Sequence, residues 1–216
     1  MHITERSWVD VLHCQKKIAT ATKELMSVKP FSQLSVTTIM AEAHLRRQTF
    51  YDYFEDKYAV LAWIYNDDIQ AIIKDNLDYE HWTVVLHHML HYFQANQAFY
   101  QKALAIHDQN APEQAISEHI TQLIERVLTE FSHKENVKLS PAYRDFLQKI
   151  LTASLVSELR QWIMSPTPRP LDLETKYLQT FLEDMTNGVV LRHQHDPRYL
   201  HQPFPHANPP TGFPNQ

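Results

Sequence analysis

Glycine is almost absent from this chain, and that constrains the fold more than any other feature. The 216 residues include 2 Gly, at Gly188 and Gly212. Residues 1–165 therefore hold no Gly, and only Pro30, Pro112 and Pro141 of the 12 Pro. Tight β-hairpins lean on Asn-Gly or Asp-Gly pairs, and phosphate-cradling loops need Gly outright. The chain thus reads against a hairpin-rich β protein, a Rossmann enzyme and a P-loop enzyme. The expected class is all-α.

Other composition fits that class. A hydrophobic fraction of 44% and a charged fraction of 21% suit a soluble globular protein. No apolar run approaches the ~18–20 residues of a membrane span, so no membrane partner is expected. The N-terminus lacks a basic-then-apolar signal, and the single Cys14 cannot form an internal disulfide. Both point to a reducing, cytoplasmic setting. Net charge is −5. Residues 1–60 hold eight Lys/Arg and seven Asp/Glu, a net of +1, and the remainder carries −6.

Apolar spacing predicts a train of helices. The first covers 15–28, with Ile18, Ala21, Leu25 and Met26 on one face and Pro30 ending it. Residues 1–13 either extend it or form a separate arm. Ser35 is a good N-cap for a short helix carrying Val36, Ile39, Met40 and Ala43. His44-Leu45-Arg46 then links to a second short helix over 47–54, and Asp56 can cap a longer one through Leu61, Ile64, Tyr65, Ile69 and Ile72. Further helices are predicted over 81–96, 97–107, 112–133, 141–164 and 171–192, with a Pro-rich linker at 165–170. The tail 193–216 carries six Pro and few aliphatics, so it reads as flexible and outside the fold.

Two short helices with a three-residue link suit a helix-turn-helix. In that arrangement Val36, Ile39, Met40, Leu45, Phe50 and Phe54 form a small core, and Arg47, Gln48, Thr49 and Asp52 face outward. Arg can bond guanine O6 and N7 in a fork, and Gln can do the same with adenine. On spacing alone, an ordinary pair of packed surface helices fits equally.

The ordered set Thr49-Phe50-Tyr51-Asp52-Tyr53-Phe54-Glu55-Asp56-Lys57-Tyr58-Ala59-Val60-Leu61, preceded by Val36-Thr37-Thr38-Ile39-Met40-Ala41-Glu42-Ala43, resembles the signature of TetR-family transcriptional regulators. The match covers roughly residues 14–65 at the level of motifs; beyond it only helix count and order agree. The resemblance implies a homodimer on a palindromic double-stranded DNA operator. Residues 1–56 would form the DNA-binding unit, and residues 57–192 a helical domain for dimerisation and control by a small-molecule effector or partner protein. It implies DNA contacts at Ser35, Thr37, Arg46, Arg47, Gln48, Thr49, Tyr51, Tyr53 and Lys57, the last three of these toward phosphates. Three positions depart from the family pattern: His44 where Gly is usual, Arg46 where a small polar cap is usual, and the negative Asp52 on the DNA side. A narrower likeness, in Lys29-Pro30-Phe31, Arg47-Gln48-Thr49-Phe50-Tyr51, Lys57-Tyr58 and Trp63-Ile64-Tyr65, is to the DhaS-type subgroup that activates dihydroxyacetone-kinase operons.

The C-terminal half is less specific. Trp82, Leu86, His91, Phe93 and Tyr100 read either as lining of an effector pocket or as core. Leu151, Leu155 and Leu159, with Leu178, Phe181 and Leu182, read either as a dimer interface, which the resemblance favours, or as internal core. His87 and His91 stand four apart and could hold a metal with His107 or His119, but nothing completes the spacing, so no metal and no cofactor are expected. No catalytic triad, paired carboxylate or cofactor loop is present, so the chain is not read as an enzyme. The alternative function is a helical co-regulator with weak or vestigial DNA binding, which Asp52 favours.

Overall fold

Pro30 sets the first boundary and Ser35 the next, and the chain between them makes a single tight turn. The structure, a computed structural model, describes residues 5–73, 81–106 and 111–195. In chain order these form α1 Glu5–Val28, a 3-10 turn Phe31–Gln33, α2 Val36–Glu42, α3 Arg47–Phe50, α4 Lys57–Ile73, α5 Trp82–Ala95, α6 Gln97–Leu104, α7 Ala111–Lys134, α8 Pro141–Met164 and α9 Leu171–His195. No strand occurs among the described residues, and none of their helices is long and apolar enough to cross a membrane. The tail beyond residue 195 lies outside the described residues, as do His107, His201 and His206.

Caps account for several boundaries. The Ser35 hydroxyl accepts from Thr38 N at 3.1 Å, and Asp56 Oδ1 accepts from Tyr58 N and Ala59 N at 2.8 and 2.9 Å. Ser140 accepts from Tyr143 N at 3.3 Å, one residue before Pro141. The N-terminal residues extend α1 from residue 5 rather than standing apart. The linker before α9 is tied down: Trp162 Nε1 donates to Arg169 O at 2.9 Å, and Arg169 pairs with Glu158 and Glu174.

Glycine scarcity has a visible consequence where α2 and α7 end. His44 has φ 55° and Asn136 φ 50°, both left-handed. Leu45 N bonds Met40 O at 2.9 Å and His44 N bonds Ala41 O at 3.2 Å, the paired bonds of a Schellman end. Val137 N to Ser132 O at 3.1 Å and Asn136 N to His133 O at 3.4 Å repeat it after α7. A histidine thus performs at residue 44 the turn that Gly makes without Cβ strain. His44→Gly is expected to stabilise the fold by about 0.5–1 kcal/mol, because left-handed strain of ~1–2 kcal/mol is relieved while the unfolded chain gains freedom. A urea melt with an unchanged or lower midpoint would refute that.

Two apolar cores form, and α4 belongs to both. Ile18, Met26, Ile39, Met40, Phe50 and Leu61 centre the first, which runs along α4 to Ile64 and takes in Ala103 from α6. From Tyr65 onward α4 enters the larger core with α5 to α9. The first core thus takes in Val60, Leu61 and Ile64 of α4, beyond the expected division at 56/57.

This packing bears on two expectations. Leu86, Phe93 and Tyr100 are buried in the larger core, as the core alternative had it: the Phe93 and Tyr100 rings lie 4.8 Å apart, and both meet Tyr65, at 5.9 and 6.4 Å. Trp82 is buried beside a cleft with Phe131 and Glu183, and His91 is exposed. Likewise Leu151, Leu155, Leu159, Leu178 and Leu182 are buried inside the subunit, leaving only Phe181 of the six exposed. The reason is that α8 is apolar on two faces. Its buried leucine stripe is matched by an outward one containing Phe146, Ile150 and Ala153.

Candidate nucleic-acid interface

The first core fixes which side chains α2 and α3 present. Ile39, Met40 and Phe50 are fully inward, while Val36 and Leu45 pack at its edge. Ser35, Thr37, His44, Arg46, Arg47, Gln48, Tyr51 and Asp52 are left exposed, and Thr49 is half-buried. Most of the expected contact set is therefore open to solvent around α2 and α3. Arg46 stands at the N-cap of α3 without a side-chain cap bond. The second short helix, expected over 47–54, ends at Phe50 and continues as turns. Its flanking bonds span three residues, Thr49 N to Arg46 O at 3.0 Å and Tyr51 N to Gln48 O at 3.3 Å. Such tightening is common at helix ends, and here it occupies both ends of one turn.

Arg47 is held by its neighbour. Its Nη2 donates to the Tyr51 hydroxyl at 3.2 Å, and the guanidinium lies 5.5 Å from that ring's centre. Tyr51 leans edge-on against Phe50 at 5.4 Å. The guanidinium plane is thus braced from the core outward, with donors left over for base edges.

Two residues expected at phosphates point elsewhere. Tyr53 is half-buried, and the neighbouring Cys14 of α1, with burial, raises its pKa. Lys57 turns inward, correcting its expected phosphate role. Its Nζ donates to Leu34 O at 2.8 Å, Phe31 O at 3.1 Å and Ser32 O at 3.4 Å, and sits 4.8 Å from the Phe31 ring centre. Its three protons are matched by three carbonyls of the turn before α2. Those carbonyl dipoles offset the unfavourable position of a cation at a helix start, and burial lowers the ammonium's pKa. Lys57→Met should destabilise the protein by about 1–3 kcal/mol, the cost of orphaning carbonyls from a charged donor. It should also weaken binding on all DNA without changing the salt slope. A slope reduced by about one would restore a direct phosphate contact.

Sequence reasoning missed what joins this unit to the helical domain. Lys23 of α1 bonds Asp68 of α4 at 2.6 Å, and Lys102 of α6 donates to Met26 O and Ser27 O at 2.6 and 2.8 Å. Nothing in local spacing signals pairs so distant in the chain. Among the described residues no three His, Cys, Asp or Glu side chains gather as a metal site.

Comparison with known proteins agrees with this geometry. Residues 18–63 match the family described as bacterial regulatory proteins, tetR family, and residues 80–193 match a transcriptional regulator C-terminal region. Over 165 residues the chain is 35% identical to the HTH-type dhaKLM operon transcriptional activator DhaS of Lactococcus lactis subsp. lactis (strain IL1403), spanning 76% of this chain and 85% of that protein. A solved dihydroxyacetone kinase operon activator DhaS superposes with TM-score 0.65 at 32% identity, over 81% of this chain and 96% of that one. A TetR transcriptional regulator from Streptococcus agalactiae 2603V shares the fold, with TM-score 0.61 at 20% identity over 80% and 95% of the two chains.

Proposed function

Because this chain belongs to the TetR family of transcriptional regulators, we propose that it acts as a homodimer on a palindromic operator and regulates a dihydroxyacetone-kinase operon. The observation that carries the DNA reading is the exposed set Arg46, Arg47, Gln48 and Tyr51, on α3 and its two caps over a core that α1, α2 and α4 complete. A helix of this kind reads base edges in the major groove. Arg47 and Gln48 supply base readout, Thr37 and Arg46 face phosphates, and Lys57 supports the scaffold from behind. The target class follows from the relatives' names.

The dimer face in this reading is the outward stripe of α8 and α9. Phe146 is 54% exposed, Ile150 48%, Tyr177 52% and Phe181 39%. Apolar side chains this large rarely stand together uncovered on a monomer. A twofold axis would place the same face against itself in four-helix packing. Control is by a small-molecule effector or by a partner protein.

Titration of the protein against DNA from upstream of its own gene, and against unrelated DNA, tests this reading. The upstream fragment should bind at least about a thousandfold more tightly at physiological salt. Equal affinity for both, or no binding at low salt, would favour the co-regulator reading, for which Asp52 on the same surface speaks.

A further inference from the structure

Between the two units runs a chain of hydrogen bonds that neither the DNA surface nor the dimer face uses. It starts at Lys23 on α1, whose Nζ lies 2.6 Å from Asp68 Oδ2 on α4. The same carboxylate oxygen accepts from the Tyr92 hydroxyl of α5 at 2.8 Å. The Tyr92 and Tyr100 hydroxyls are 2.6 Å apart. Tyr92 has one proton and gives it to Asp68, so Tyr100 of α6 must donate to Tyr92. Every proton in the chain has one direction. Burial pushes both tyrosines far above their ordinary range, so they stay protonated at physiological pH. Tyr100 ends the chain deep in the helical domain, against the rings of Phe93 and Tyr65.

The surroundings explain why such a chain matters. Beside this chain, Lys102 of α6 holds Met26 O and Ser27 O at the end of α1 and Lys16 lies 3.9 Å from Asp67, while apolar contacts such as Ala103 in the first core and Phe99 under Lys23 at 5.9 Å fill the rest of the junction. Apolar surfaces tolerate small rotations, whereas short directional bonds between partly buried charged groups do not. Lys23 and Asp68 are 37% and 26% exposed, so the pair contributes less to total stability than a deep one but still specifies a geometry.

We propose that Lys23, Asp68, Tyr92 and Tyr100 form the joint that sets the angle of the DNA-binding unit on the helical domain, with Tyr92 as its positioning residue. The joint deepens the DNA-binding reading and rests on it for its consequence, the separation of two recognition helices in a dimer. A change in the aromatic core around Tyr100 would reach α1 by loosening these bonds.

The test uses Tyr92→Phe, which removes one oxygen, with Lys23→Met as a second variant at a partly exposed site and Lys23→Arg as the conservative rescue. Spin labels at Gln48→Cys and Lys149→Cys, in a Cys14→Ser background and diluted with unlabelled chain, report the angle within one subunit. One narrow distance distribution is expected for the parent and for Lys23→Arg. Tyr92→Phe and Lys23→Met should broaden or shift it by roughly a few ångströms, the scale of domain rotations. On DNA, the parent's preference for the best half-site spacing over one lengthened by a base pair should fall at least about fivefold in both variants, the low end of coupling between sites. Unchanged distances in both variants overturn the joint. A parent that binds no operator sinks the DNA-binding reading instead, and the distance measurement still decides the joint. If Tyr92→Phe fails to fold, Lys23→Met decides it.

Discussion

The double variant Arg47→Ala, Gln48→Ala is expected to lose operator discrimination while keeping its fold and its oligomeric state. Both side chains are exposed, and the described bond of Arg47 is a local one to Tyr51 on the next turn. Their removal opens no cavity in the core beneath, which Phe50 fills. Each bidentate contact discriminates by ~1–3 kcal/mol, so losing two lowers specific affinity by roughly thirtyfold to a few ten-thousandfold. Affinity for random DNA should fall far less, because one positive charge is lost and the salt slope changes by about one. Competition binding with matched and scrambled sites measures both. A sequence preference that survives would mean that α3 is not the reading element.

The second large effect is expected from Ile150→Glu combined with Tyr177→Glu. These residues lie on the outward stripe of α8 and α9 at about half exposure, so carboxylates there cost the isolated subunit little. In a twofold interface every substitution appears twice and places like charges face to face in a desolvated patch. The protein should sediment as a monomer with an unchanged helical signal. Operator affinity should drop by ~10²–10⁴, because the second half-site contact is no longer intramolecular. A dimer that persists would move the interface to another face.

Much of this was legible in the sequence, unevenly. Missing Gly with apolar three-to-four spacing led to an all-helical chain, and Ser35, Asp56, Pro30 and Pro141 set helix ends through local chemistry that needs no tertiary context. His44 was legible as an anomaly, and its left-handed φ shows that the turn keeps its geometry without Gly. The exposed set around α3 was legible because Ile39, Met40 and Phe50 mark the inner side.

What failed depended on the partner surface. Lys57 looked free because its acceptors are main-chain carbonyls of the turn at 31–34, which no side-chain pattern reveals. The leucine stripes of α8 and α9 looked like an interface because periodicity identifies an apolar face without saying what covers it. With apolar residues on both sides of α8, the internal core took the leucines, and Phe146 and Ile150 were left outside. Periodicity likewise left pocket and core undivided for Phe93 and Tyr100, whose rings pack against each other between the helices. Lys23 and Asp68 are 45 residues apart and belong to no motif, so their pairing needed the fold.

Selection of bound sequences from random DNA tests the central claim most directly, since it assumes no operator and no effector. The purified chain should enrich one inverted repeat, with half-site centres about 10 base pairs, or a multiple of that, apart, as a twofold pair of recognition helices requires. Loss of that enrichment in Arg47→Ala, Gln48→Ala should follow. No enrichment over the starting pool at low salt, or enrichment of a single asymmetric site, would contradict the account.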